Sequence, residues 1–316
     1  MKLKEKYRKI IFYVALAVFA VSLGVLLYEG YESIKVRESM NSLKELLLDE
    51  TSTSSVTEST AYDEAESTAA PENTLPAADS TTEESESTKP VSETTTEPET
   101  TTEPGPVILE KYSRLYEENN ALAGWLKIDD TVIDYPVLWL EGDNDYYLSH
   151  DFYGNENRYG QIVLDYRCSI DPPTTNLILH GHHMKDGSMF GSLKKYKRKS
   201  YWKEHRYIHF DTIYEEGIYE IFAVFLSKVY YQDEDVFKYY NFVNAETEEE
   251  FNYFYENVKK LTNFSTGVVP KYGDSILTLS TCEYSQENGR LVVVARKLSA
   301  DEVMALAEAE ASAGQK

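Results

Sequence analysis

Apolar and polar positions change rhythm several times along this chain. Residues 10–28, IIFYVALAVFAVSLGVLLY, are nineteen positions without a charge. At about 1.5 Å per residue such a helix just crosses a hydrocarbon layer of roughly 30 Å. Residues 31–49 carry Ile34, Val36, Leu43 and Leu46 to Leu48, which suits a short helix leaving that span. Large apolar residues nearly vanish from Glu50 to Pro106 and return at Val107. There Ile108, Leu109, Tyr112, Leu115 and Tyr116 recur at threes and fours and predict a helix. Strand rhythm follows, with strands predicted at 131–138, 160–165, 176–180, 207–210, 217–229, 275–281 and 291–297. A helix predicted at 246–261 interrupts them, and Ser299 with Glu302 has the spacing of a capping box for a short Ala-rich helix. Many short strands between turn residues predict a mainly β fold, a barrel or a sandwich.

Charge and composition divide the chain further. The flank before the apolar run carries Lys2, Lys4, Arg8 and Lys9, and the flank after it Glu29 and Glu32. Positive charge stays inside, so residues 1–9 are expected to be a cytosolic tail and 10–28 an uncleaved transmembrane anchor, with everything after it outside the cell. A cleaved signal peptide is the rival; the run is long for one, and no clear small-x-small site follows Tyr28. Residues 29–49 are then a juxtamembrane helix. Residues 50–106 hold fourteen Asp and Glu against Lys89 alone, among Ser, Thr and Pro. Such a segment cannot offset the entropy of ordering and is expected to be a disordered tether, with a reach of about 175 Å if fully extended at roughly 3.1 Å per residue. It holds more than half of the net charge of −23. Nucleic-acid binding has no support, because no basic stripe follows the first nine residues. Residues 107–300 form one globular domain, expected to fold and act without the anchor, and 301–316 a C-terminal helix or tail.

Three segments carry candidate chemistry. Residues 275–282 are a strand ending in Cys282 at a polar loop, a rigid place from which a nucleophile reaches a cleft; a lone cysteine is more commonly a buried structural residue. His180, His182 and His183, half of the six histidines, follow another apolar strand. A cysteine nucleophile needs a basic partner, usually His. With Asp186 nearby, the same residues could instead be part of a zinc ligand set, although the spacing matches no helical zinc motif. Arg290 opens the last strand eight residues after Cys282 and could hold a substrate carbonyl or an oxyanion; alone it would read as an edge charge. The only other cysteine is Cys168, and two unbridged thiols are expected, since the nucleophile must be free.

Together these segments resemble the sortases. Thr278-Leu-Ser-Thr-Cys282 matches the family's T-L-x-T-C pattern, Gly181-His182 its histidine after a strand-end glycine, and Arg290 its arginine at the start of the last strand. Gly124 to Val137, Asp143 to Leu148, His150 to Gly154, Asp165-Tyr-Arg167 and Gly181 to Phe190 are similar to class B members. The resemblance implies a closed β-barrel with peripheral helices and a cysteine transpeptidase. It would cleave a C-terminal sorting motif of the Asn-Pro-x-Thr-x kind in secreted proteins after Thr, and join the new carboxyl to an amine of peptidoglycan or its lipid-linked precursor. Cys282, His182 and Arg290 would be catalytic, Ser280 and Glu283 weaker candidates for substrate contacts, and neither a metal nor another cofactor is required. Of the histidines, His182 and not His180 or His183 would be essential. The enzyme would sit at the cell membrane of a Gram-positive cell, by a single pass. A catalytically inactive stalked binding module, or an extracellular metal hydrolase using His180, His182 and His183, are the alternatives. Cys168 is left as a thiol without a role.

Overall fold

The computed structural model describes residues 2–59 and 105–313. The predicted linker lies outside them from residue 60 to 104. Helix α1 (Lys2–Ser59) runs unbroken through the apolar stretch, the juxtamembrane segment and the first ten residues assigned to the linker. Among the described residues none packs on its apolar run, where Ile11, Phe19 and Val21 are exposed. Further along, Val36, Met40 and Leu43 are buried against the domain, and Lys44 pairs with Asp134 at 2.9 Å. Helix α2 (Glu110–Glu118) lies beside this part of α1 and buries Tyr112 and Leu115. The juxtamembrane helix is therefore a packed element and not only a connector. Leu43→Ala in the detergent-solubilised chain is expected to destabilise by about 2–5 kcal/mol, because the site is fully enclosed; a denaturant midpoint unchanged from the parent would contradict the docking.

Eight strands follow: β1 (Leu122–Lys127), β2 (Asp134–Leu138), β3 (Ile162–Leu164), β4 (Asn176–Gly181), β5 (Tyr207–Thr212), β6 (Ile218–Lys228), β7 (Ile276–Cys282) and β8 (Gly289–Lys297). They join in the order β1-β2-β3-β4-β7-β8-β6-β5, and β5 pairs back onto β1 to close a barrel. Seven were predicted at or near these positions. β1 was not, because Leu122 to Leu126 are buried in succession and leave no alternation to read. Gly124 in β1 is a packing requirement: a Cβ there would run into the backbone of Asp211 in β5.

Strand β8 shows how the layers are built. Leu291, Val293 and Ala295 face the barrel core with Leu177, Leu179, Leu277 and Leu279, while Val292 and Val294 face outward into a second apolar layer. That layer is closed by Phe251, Phe254 and Val258 of a helix at Glu248–Leu261, together with Tyr239 and Phe225. Buried on both faces, β8 reads as a continuous apolar run. The helix begins at a capping box of Thr247 and Glu250. A 3-10 turn at Phe190–Lys197 and a short helix at Lys199–Glu204 cover another side. The last helix, Ala300–Ala313, is capped as its sequence predicted: Ser299 N–H donates to Glu302 at 2.9 Å and Glu302 N–H to Ser299 Oγ at 3.3 Å.

Candidate active site

Strands β4 and β7 run parallel, with Gly181 opposite Thr281 as their last pair. His182 and Cys282 are the next residue on each. Strand β8 runs antiparallel to β7, and Cys282 lies opposite Arg290. Residues opposite one another share a face of a sheet, so Cys282 and Arg290 lie side by side on the outer face, and His182, one residue past the end of β4, comes at the same end of the adjacent strand. The intervening residues point inward. A Cβ on Gly181 would meet Ile162 Cδ1 at 2.6 Å and Phe190 Cδ2 at 2.8 Å, so only glycine fits before His182. Thr281 Oγ1 donates to the Gly181 carbonyl at 2.7 Å and ties the two strands together beneath the site.

The three histidines turn to three different partners. His182 Nε2 lies 2.8 Å from the Leu148 carbonyl. A carbonyl only accepts, so Nε2 carries the proton and Nδ1 is the ring atom left to exchange one. His180 Nε2 is 2.9 Å from Asp165 Oδ2, whose carboxylate also takes both Nε and Nη2 of Arg167 at 2.8 Å. Burial alone would raise the Asp165 pKa, but these bonds outweigh it and hold the carboxyl well below the usual range. Arg167 Nη2 reaches on to the Tyr240 carbonyl at 2.8 Å, which fixes the segment carrying Tyr239. His183 Nδ1 donates to the Cys282 carbonyl at 2.8 Å, and its ring leans on Tyr284.

Among the described residues Arg290 bonds the backbone carbonyls of Gly289 at 3.0 Å and Asn288 at 3.4 Å. Ser280 and Glu283, the two weaker candidates, are engaged by other side chains: Ser280 shares the outer face with Cys282 but is covered by the second apolar layer. Ser280 is buried, its hydroxyl 2.7 Å from that of Tyr239. Burial pushes the Tyr239 phenol up to about 12, so it stays protonated beneath the site. Glu283 accepts from Lys197 Nζ at 2.6 Å, from Ser285 N–H at 2.9 Å and from the Ser285 hydroxyl. The Lys197 bond and then the Ser285 hydroxyl lower its pKa to about 2. Both residues hold their surroundings in place. Cys168 is buried near the far end of β4, its Sγ 3.3 Å from the Asn176 carbonyl, and neither cysteine is in a disulfide. Tyr239 and the Leu148 carbonyl had no signal in the sequence: one lies outside every motif, and the other acts through its backbone.

Residues 126–298, more than half of the chain, match the family model of the sortase domain. The chain belongs to the sortase family. Sortases are cysteine transpeptidases of the cell wall, and this sortase is most similar in its sequence relatives to the B type. It is 38% identical over 181 residues to sortase B of Listeria monocytogenes, covering 57% of this chain and 70% of that one. It is 32% identical over 188 residues to sortase B of Staphylococcus aureus, covering 59% and 74%. Among solved structures, a Staphylococcus aureus sortase B–substrate complex superposes with a TM-score of 0.55 at 30% identity, over 61% of this chain and 87% of that one. Sortase B from Bacillus anthracis in complex with AAEK1 gives 0.54 at 34% identity, over 62% and 88%. The family, the B-type likeness and the fold expected from the motifs are thus found. The long apolar helix at the N-terminus fits a membrane anchor.

Proposed function

We propose that this sortase cleaves a sorting motif of the Asn-Pro-x-Thr-x kind in secreted proteins and joins the new Thr carboxyl to a peptidoglycan amine. Cys282, as thiolate, attacks the Thr carbonyl carbon. The resulting oxyanion collapses, the C–N bond breaks, and His182 gives a proton through Nδ1 to the leaving amine. The thioester then holds the acyl group until an amine of the wall, or of its lipid-linked precursor, attacks and loses a proton to His182. The C–S bond breaks and the thiolate returns. Arg290 holds the substrate carbonyl or the oxyanion. The observation that supports this reading is the register, which pairs Cys282 with Arg290 and ends β4 at Gly181, just before His182, at the same end of the sheet. The divergent partners of the three histidines count against the metal-hydrolase alternative. Helix α1 spans the membrane through residues 10–28, with residues 1–9 in the cytosol and the barrel outside.

Mass spectrometry of the enzyme with a library of sorting-motif peptides tests the reaction. The expected product is a thioacyl adduct on Cys282 that an added amine discharges. Turnover abolished by chelators but kept in Cys282→Ala would overturn it. Arg290 gives a second expectation. Lys keeps the charge but loses the planar fork, so Arg290→Lys should slow turnover by about 10²-fold. The alkylation rate of Cys282 should change much less; equal losses in both would assign Arg290 to thiolate activation instead.

A further inference from the structure

The contact between α1 and the barrel climbs in step with the helix. Glu29 meets Arg158 at 3.7 Å, the Ser33 hydroxyl donates to Asp186 at 3.3 Å, and Lys44 reaches Asp134 at 2.9 Å. Val36, Met40 and Leu43 are buried between these points. The lowest contacts belong to the active-site edge. A cleft of about 580 Å³ opens between Leu26, Glu29 and Ser33 of α1 and Arg158, His183, Lys185 and Tyr284 of the domain. His183 bonds the Cys282 carbonyl, and Tyr284 is two residues beyond Cys282.

Height above the membrane follows from helix rise. Ser33 is five residues past Tyr28, the last residue of the apolar run. That is about 7.5 Å at 1.5 Å per residue. The headgroup zone on each side of a bilayer is roughly 5–7 Å deep. Asp186, bonded to Ser33, is therefore at the outer limit of that zone, and the cleft beside Leu26 and Glu29 is within it. The side chains there suit such a place: Arg158 and Lys185 are cations that lipid phosphates attract, and Tyr284, 73% exposed, is an interfacial residue type.

We propose that the barrel face bearing Arg158, Lys185 and Tyr284 rests in the lipid headgroup layer, held there by residues 29–48 of α1, so that Cys282 works at the membrane surface. This rests on the anchor reading above. The segment between Ser59 and Gly105 then does not set the reach of the enzyme. It leaves from a helix already packed on the domain and returns to α2, which Lys111 pins to Asp211 at 2.9 Å. Its two attachments lie on the same body, and residues 29–48 fix the height whatever its length.

The test uses the full chain in proteoliposomes of phosphatidylglycerol and phosphatidylethanolamine containing a headgroup-spin-labelled lipid. A fluorescent amino acid replaces either Tyr284 or Tyr272, the latter exposed just before the remote end of β7. Quenching is expected to be several-fold stronger at position 284, and unchanged when residues 60–104 are shortened. Equal quenching at the two positions, in protein that resists alkaline carbonate extraction, would overturn the proposal while leaving the anchor intact. Release by carbonate would sink the anchor reading and the proposal with it. Independently, a short bis-maleimide should crosslink Ser33→Cys to Asp186→Cys in the membrane, with neither single variant giving the product. Failure of that crosslink in protein that still cleaves peptide would also overturn the docking.

Discussion

Replacing Cys282 with Ala lowers peptide cleavage and transpeptidation by more than about 10⁴-fold, while the unfolding midpoint stays near that of the parent. The loss is expected to be near-complete because covalent capture has no second route: Ser280 is buried against Tyr239, and Cys168 lies near the other end of β4. The same contrast predicts which thiol a reagent finds. Cys168 is 2% exposed, and burial pushes its pKa up to about 11. At neutral pH it is both shielded and protonated, and only the thiolate reacts. Its labelling should rise only as the pH climbs toward that value. Since the folded state favours the protonated thiol, this group stabilises the fold below its unfolded pKa near 9 and loses that contribution as the pH rises through about 11. Peptide mapping after brief alkylation at neutral pH checks the order. Label on Cys168 before Cys282, or turnover surviving in Cys282→Ala, would reject Cys282 as the nucleophile.

The second large effect belongs to His182. His182→Ala should lower turnover by about 10²–10⁴-fold, the range for loss of a positioned acid–base group. His180→Ala should stay within about ten-fold in turnover and instead cost about 1–3 kcal/mol of stability, because it removes a partner of the buried Asp165. His183→Ala frees the Cys282 carbonyl and should have an intermediate effect. Parallel measurement of kcat/KM and denaturant midpoint for the three variants separates the roles. An inactive His180→Ala beside an active His182→Ala would reverse the assignment.

The sequence carried the strands that alternate and the residues at their ends. β7 could be read because one polar loop follows one apolar strand, and Cys282 marks the junction. β1 could not, since burial on both faces erases the period of two. The docking of α1 was hidden for another reason. Val36 and Leu43 are buried, but Ile34 just before them and Leu48 just after are exposed. A stripe so sparse gives no sign of where its partner lies. His180 and His182 share one strand face, so periodicity alone left them tied; Asp165, fifteen residues before His180, separates them by occupying one ring. Ser280 and Glu283 flank the cysteine in sequence, yet their bonds to Tyr239 and Lys197 depend on segments far along the chain.

The pairing of Gly181 with Thr281 joins positions one hundred residues apart. Such a contact forms late, because the chain must close a long loop before the pairing returns any energy. Until it forms, the strand ends at Gly181 and Cys282 are not yet side by side. On the proposed mechanism, an unfolded chain lacks the juxtaposition that would make Cys282 a nucleophile. Barrel closure is therefore also the step that brings nucleophile and base together.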